Sequence, residues 1–218
     1  MKIDKNSYGS IALVYLVCTA IFLSIVLLNA PLWLRIANAV LLVAICIWQT
    51  AFFRVPRRSP AGDSRNVSSV ADGKVVIIEK VFEPEYLKQD CIQISVYMNF
   101  FDVHANFWPV TGDVTYHKYY PGKHFLAFKP KASEENEHTC TCIRTEDGHD
   151  VFFKQLAGTF ARRIVNYAKF EDNAVSGKQC GIIKFGSRID MYVPLDSRII
   201  VKLGDKVRAC ETILAELQ

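Results

Sequence analysis

The chain lacks a second Cys or Cys/His cluster to accompany Cys140-Thr-Cys142 at zinc-ligand spacing, so no metal site is expected. Its seven cysteines are otherwise scattered. An odd count with no framework suits a reducing compartment better than a disulfide scaffold, and the thiols read as small buried apolar residues. A strong charge of either sign is missing too. A net charge of +4 over 218 residues is too modest to argue for nucleic acid, and no basic helix with interleaved aromatics is present. No small-x-small cleavage site follows the first apolar run, and a second run comes at once, which argues against a removable secretory signal.

What is present is apolar and unevenly spread: 50% of residues are hydrophobic, and two long runs fall within the first 53. Ser10 to Leu28 is uncharged, close to the ~20 residues a helix needs to cross a bilayer. Asn29-Ala-Pro31 forms a turn, and Leu32 to Phe53 is broken only by Arg35, Asn38 and Gln49. A buried hairpin in a soluble core is the competing reading, but soluble helices rarely stay apolar all round at this length. Lys2, Lys5, Arg54, Arg57 and Arg58 cluster at the two ends of the hairpin, with Arg35 alone near the turn. The positive-inside bias places both ends, and the domain that follows, on the cytoplasmic side of the cell membrane. Residues 1–53 are thus expected as a membrane-anchoring hairpin and 54–66 as a polar, proline-bearing linker. Residues 67–218 remain as one domain.

That domain reads as short strands. Lys74 to Val81 is apolar and β-branched, and Cys91 to Met98 alternates. Val110 to His117, Phe125 to Lys129, Thr139 to Thr145 and Val151 to Leu156 look like further strands. One helix is expected over Ala157 to Tyr167, with Phe160 and Ile164 inward. The fold class is mainly β (α+β), an antiparallel sandwich preceded by a two-helix transmembrane hairpin.

The chain is organised around Cys180-Gly-Ile-Ile-Lys-Phe-Gly-Ser-Arg-Ile-Asp-Met-Tyr-Val-Pro194. Two strands flank Gly186-Ser187, and Ile189, Met191 and Val193 alternate with Asp190 and Tyr192 as in a half-buried strand. Taken locally, Gly-Ser is a turn. Together with Val-Ala-Asp-Gly-Lys at 70–74 and Asp-Val-His-Ala-Asn at 102–106, however, Phe-Gly-Ser-Arg resembles the phosphatidylserine decarboxylase family. The match is to its short bacterial and archaeal subtype, from about Arg54 onward.

The resemblance implies a pyruvoyl enzyme. The bond between Gly186 and Ser187 would cut itself, leaving a large chain 1–186 and a small chain 187–218 as a heterodimer, with higher oligomers possible. Ser187 would become the covalent pyruvoyl cofactor, which takes a phospholipid amine as a Schiff base at the membrane. It further implies His104 as base and proton donor, and Asp72 as the acid orienting it. Without the resemblance, His104 reads as a core histidine and Asp72-Gly73 as a turn. The family's second histidine, three residues on, is replaced by Phe107. Ala132 to His138 resembles a family segment near the site, which makes Asn136 and Glu137 candidates for substrate orientation. Arg188 is a candidate for a phosphate or carboxylate. The remaining histidines, His117, His124, His138 and His149, sit in polar surroundings and are expected to face solvent.

The tail from Val201 to Ala215 resembles the closing hairpin of a biotinyl/lipoyl-type barrel, with Cys210 where a glycine is common and no carrier lysine. That argues for a shared β-sandwich form without the carrier function. The decarboxylase family is built on related β-sandwich elements, so the tail supports the resemblance to it. The rival is a non-enzymatic membrane-anchored biotinyl/lipoyl-like adaptor, which predicts an uncut chain. A decarboxylase of a related serine lipid, such as archaetidylserine, is another.

Overall fold

The computed structural model describes residues 2–122, 136–158, 163–184 and 187–218. The strand expected over 125–129, His124, the helix residues 159–162 and Gly186 lie outside the described residues. The chain divides into two units, Met1–Pro56 and Arg57–Gln218.

The first unit is built on α1 (Tyr8–Leu27) and α2 (Leu32–Phe52). Asn29 turns the chain in the left-handed region (φ 50°), which Asn tolerates, and Pro31 cannot continue α1. The Tyr15 hydroxyl lies 2.7 Å from Thr50 Oγ1 and ties the helices together. Arg35 donates to the Ala30 carbonyl of the turn at 2.7 Å. Before α1, β1 (Lys2–Ile3) pairs antiparallel with β2 (Arg54–Val55) after α2, closing the ends of the hairpin. Leu13, Leu16, Val40 and Leu41 point outward and are exposed. Both helices are long and apolar enough to cross a membrane.

The second unit runs β3 (Asn66–Ser68), β4 (Gly73–Glu83), β5 (Gln89–Met98), β6 (Ala105–Phe107), β7 (Gly112–Tyr120), β8 (His138–Arg144) and β9 (Asp150–Ala157). It continues with β10 (Arg163–Asn166), β11 (Asn173–Ala174), β12 (Gln179–Lys184), β13 (Ser187–Pro194), β14 (Arg198–Ile199), β15 (Lys206–Val207) and β16 (Ile213–Glu216). Among the described residues every strand pairing is antiparallel. Eight strands form one sheet in the order β11-β7-β8-β9-β13-β5-β4-β15; two three-stranded sheets are ordered β10-β12-β6 and β14-β16-β3. One apolar core joins them, with Ile94, Val96, Phe153, Ile189 and Met191 from the large sheet meeting Ile164, Cys180 and Ile183, and Leu214 and Ala215. The fold is mainly antiparallel β behind two apolar helices, as expected.

Two local expectations need correction. Arg163–Asn166 is a strand and not the end of a helix, and Ala157 closes β9. Ile164 and Val165 are β-branched, and pairing with Ile183 and Ile182 of β12 outweighs the weak helical pattern. The strand after Ser187 is not half-buried: Arg188 and Asp190 are as fully buried as Ile189 and Met191. It lies between β5 and β9 in the middle of the sheet, and packing covers both of its faces. Its polar face meets a second cluster, where Tyr192 packs with Phe152, Cys91, Cys140 and Cys142. Burial pushes the Cys91 thiol up to about 11 and Cys142 to about 12, so these cysteines are inert. Cys210 stands at φ 66°, the left-handed conformation that a glycine adopts without steric cost.

Candidate active site

Ser187 opens β13, opposite Met98 on β5 and opposite Ala157 on β9. The preceding strand, β12, lies in a different sheet, so the chain changes sheets immediately before Ser187. The serine is fully buried, and its hydroxyl points at Met98 Sδ, 3.7 Å away. A thioether is a weak acceptor, and among the described residues no nitrogen or oxygen atom accepts the proton.

His104 is positioned by the turn after β5. Asp102 accepts from the Asn99 N–H (2.8 Å) and Asn99 from the Phe101 N–H (2.8 Å), local bonds that suit Asn and Asp to turns. The His104 Nδ1 lies 3.0 Å from the Asp102 carbonyl. A carbonyl only accepts, so Nδ1 carries the proton and Nε2 is the basic nitrogen of the neutral ring. The Ile183 N–H donates to the His104 carbonyl, extending the β6–β12 ladder by one residue. His104 and Asn106 therefore lie on one side of the strand. Asn106 Nδ2 approaches the same Met98 sulfur as Ser187, at 3.9 Å. This sharing brings the histidine strand to the serine.

Asn136 and Glu137 reach the site through Ala157. Asn136 Nδ2 donates to the Ala157 carbonyl at 2.7 Å, and the Ala157 N–H donates to the Glu137 carbonyl at 2.9 Å. His138, expected at the surface, is buried instead. Its Nδ1 lies 2.6 Å from the Asn136 carbonyl and its ring stacks on Tyr120. Packing between β7 and β9 decides this, which its polar neighbours in sequence do not reveal. His117 is half-buried against Thr141.

Asp72 accepts from both terminal nitrogens of Arg58, one of the bonds measuring 2.7 Å, and from the Ala209 N–H at 2.9 Å. These bonds do not run to His104. The Arg58 guanidinium is raised by its bonds to Asp72, against the opposing effect of burial. Arg188 is fully buried and donates to Asp190 through Nε (2.7 Å) and Nη2 (2.9 Å); Ser95 Oγ donates to the same carboxylate at 2.6 Å. Glu85, His138 and Cys140 hold possible ligand atoms within 4.8 Å of one another. Lys154 Nζ, 3.4 Å from Glu85 Oε2, already supplies a cation there.

Sequence reasoning missed a buried amide relay beside the serine. Gln155 Nε2 donates to Asn106 Oδ1 at 2.7 Å. Gln155 Oε1 accepts from Thr139 Oγ1 (2.8 Å) and Asn166 Nδ2 (2.6 Å). The available signal was polarity out of place: Asn106 between Ala105 and Phe107, and Gln155 beside Lys154 in the otherwise apolar run from Val151 to Ala157.

The model of the phosphatidylserine decarboxylase family matches residues 46–215. A phosphatidylserine decarboxylase proenzyme of Porphyromonas gingivalis is 40% identical over 222 residues, covering 100% of this chain and 99% of its own. The proenzyme of the same name from Amoebophilus asiaticus is 44% identical over 171 residues, covering 78% of this chain and 76% of its own. That of Aromatoleum aromaticum is 47% identical over 171 residues, covering 78% and 79%.

Proposed function

Since this chain belongs to the phosphatidylserine decarboxylase family, we propose that it cuts itself between Gly186 and Ser187 and then converts phosphatidylserine to phosphatidylethanolamine. The observation that carries this reading is the buried Ser187 hydroxyl, which opens a central strand and faces a sulfur.

Ser187 Oγ attacks the Gly186 carbonyl carbon. The peptide C–N bond breaks, the hydroxyl proton passes to the departing nitrogen, and an ester joins the two pieces. His104, basic at Nε2, takes the Ser187 α-proton; the Cβ–Oγ bond breaks and the Gly186 carboxylate leaves. Water then replaces the nitrogen as ammonia, so Ser187 ends as a pyruvoyl group. Glycine before the serine leaves the carbonyl open to attack. The residues present fit the group: a buried hydroxyl with no strong acceptor among the described residues, and Asn106, two residues after His104, on the same sulfur. The pyruvoyl carbonyls supply an electron sink for loss of carbon dioxide from the lipid, as a PLP ring does elsewhere. His104 returns a proton to the lipid Cα.

Asp72 is proposed as the acid that sets the imidazole, held in place by Arg58 and Ala209. Asn136 and Glu137 act on the site by holding Ala157 beside Ser187, and Arg188 by clamping Asp190 within β13. The chains 1–186 and 187–218 stay together as a heterodimer, because β13 is paired on both edges and β15 and β16 add to β4 and β3. The apolar helices tether the enzyme to the cell membrane, with the basic residues at their ends on the cytoplasmic side.

Intact mass and a denaturing gel of the purified protein test the reading. Two chains, divided before Ser187, are expected, with borohydride plus phosphatidylserine fixing the lipid to the smaller one. Ser187→Ala is expected to stay whole and inactive. A whole wild-type chain that still releases carbon dioxide would overturn the pyruvoyl reading, and a whole inactive one would favour the adaptor. Side-by-side assay of archaetidylserine tests the other rival.

A further inference from the structure

We infer that Asn106 is a hydrogen-bond donor in the self-cutting reaction, acting on Ser187 Oγ as the ester eliminates, and that Gln155 is the positioning residue that points it there. This rests on the proposed cut at Ser187 and adds two residues to it.

The direction of the relay follows from donor and acceptor counting. Thr139 Oγ1 and Asn166 Nδ2 both reach one atom of the Gln155 amide, at 2.8 and 2.6 Å. An Asn N–H needs an acceptor, so that atom is Oε1, and the other end of Gln155 must be the NH₂ group. Its Nε2 then donates to Asn106 Oδ1 at 2.7 Å. With its oxygen taken, Asn106 turns its own NH₂ toward Met98 Sδ, the atom against which Ser187 Oγ also rests. The end of the relay nearest the serine is shielded from water: Asn106, Gln155 and Ser187 are fully buried and Thr139 is nearly so, while Asn166 is half-buried. A buried amide network of this kind costs stability unless every member is satisfied. Among the described residues the last donor meets only a sulfur, a weak acceptor on a flexible side chain that yields readily. The network therefore delivers an under-used N–H to the serine.

The chemistry selects the step. When Oγ attacks, negative charge builds on the Gly186 carbonyl oxygen and not on Oγ. When the Cβ–Oγ bond breaks, the electron pair moves to Oγ, which becomes one oxygen of the leaving carboxylate. A donor on the Oγ side stabilises that second event, in a dry site where such bonds are strong.

Asn106→Asp keeps shape and acceptor but removes the donor. Gln155→Glu keeps the Oε1 acceptor but cannot donate to Asn106. Freshly translated full-length wild type and both variants are followed on denaturing gels, with thermal melts to confirm folding, and uncut chains are treated with hydroxylamine, which cleaves esters. The variants are expected to cut about 10²-fold more slowly, the typical effect of losing one such donor. Their uncut chains are expected to fall apart in hydroxylamine, because the ester forms and waits. Cutting at the wild-type rate in both variants overturns the inference. So does a folded, uncut, hydroxylamine-resistant chain, the result expected if the amides merely hold Ser187 in place. Should one variant fail to fold, the other decides. An uncut wild-type chain would instead remove the proposed cut itself, and this inference with it.

Discussion

Gly181 makes room for Gln155: a methyl group at Gly181 would stand 2.9 Å from Gln155 Nε2 and 2.5 Å from the Val165 carbonyl. The glycine that sits six residues before Ser187 thus has a packing reason within the site. Gly181→Ala is expected to displace either the amide or the β10 backbone. Overpacking of this kind typically costs about 1–3 kcal/mol. A lower melting temperature together with slower cutting is expected, and unchanged cutting would show that the amide tolerates displacement.

His104→Ala is expected to accumulate uncut precursor. Loss of a positioned general base typically slows a reaction about 10²–10⁴-fold. The check is a time course of the two chains on a denaturing gel, and maturation at the normal rate would remove His104 from the mechanism.

Arg58 and Asp72 form a pair that is mostly buried, with side chains 8% and 13% exposed. Removing one partner of a buried pair costs roughly 3–5 kcal/mol. Arg58→Gln is expected to lower the melting temperature clearly. Asp72→Asn is expected both to lower it and to slow cutting, through the lost influence on the His104 ring. The separate effects are read by melting and by gel, and an Asp72→Asn protein that cuts at full rate would leave Asp72 with the Arg58 bond alone.

Burial lowers the His117 imidazole below its usual 6.5, and a backbone bond at Cys140 only partly offsets this. The folded protein therefore holds fewer protons at this site than the unfolded chain below pH 6.5. The contribution is whole above that pH and is lost as pH falls toward the lowered folded value. Melts from about pH 7.5 to about pH 5 span the range in which an ordinary histidine titrates. They are expected to decline less steeply in His117→Gln than in wild type, and equal slopes would refute the assignment.

Alkaline carbonate is expected to leave the protein in the membrane pellet, and a C-terminal reporter is expected to be active only in the cytoplasm. Release of the protein into the supernatant would replace spanning helices with peripheral attachment.

The sequence by itself determined the two apolar helices, because run length and the absence of charge leave few alternatives in water. It also determined the strands at Lys74–Val81 and Cys91–Met98, where β-branched or alternating residues act locally, and it marked Ser187 and His104 through short motifs. Only the tertiary structure decided which sheet each strand joins. Arg163–Asn166 became a strand because β12 offered it partners. Arg188 and Asp190 were buried because tertiary packing covers both faces of β13, and no local pattern tells a strand with one polar buried face from a half-exposed one. The relay from Thr139 and Asn166 through Gln155 to Asn106 joins three consecutive strands, β8, β9 and β10, to β6, which lies far from them in sequence and in a different sheet from β8 and β9. Hydrogen-bond partners at such separations are chosen by the meeting of the sheets, so these residues gain their meaning only once the chain has folded.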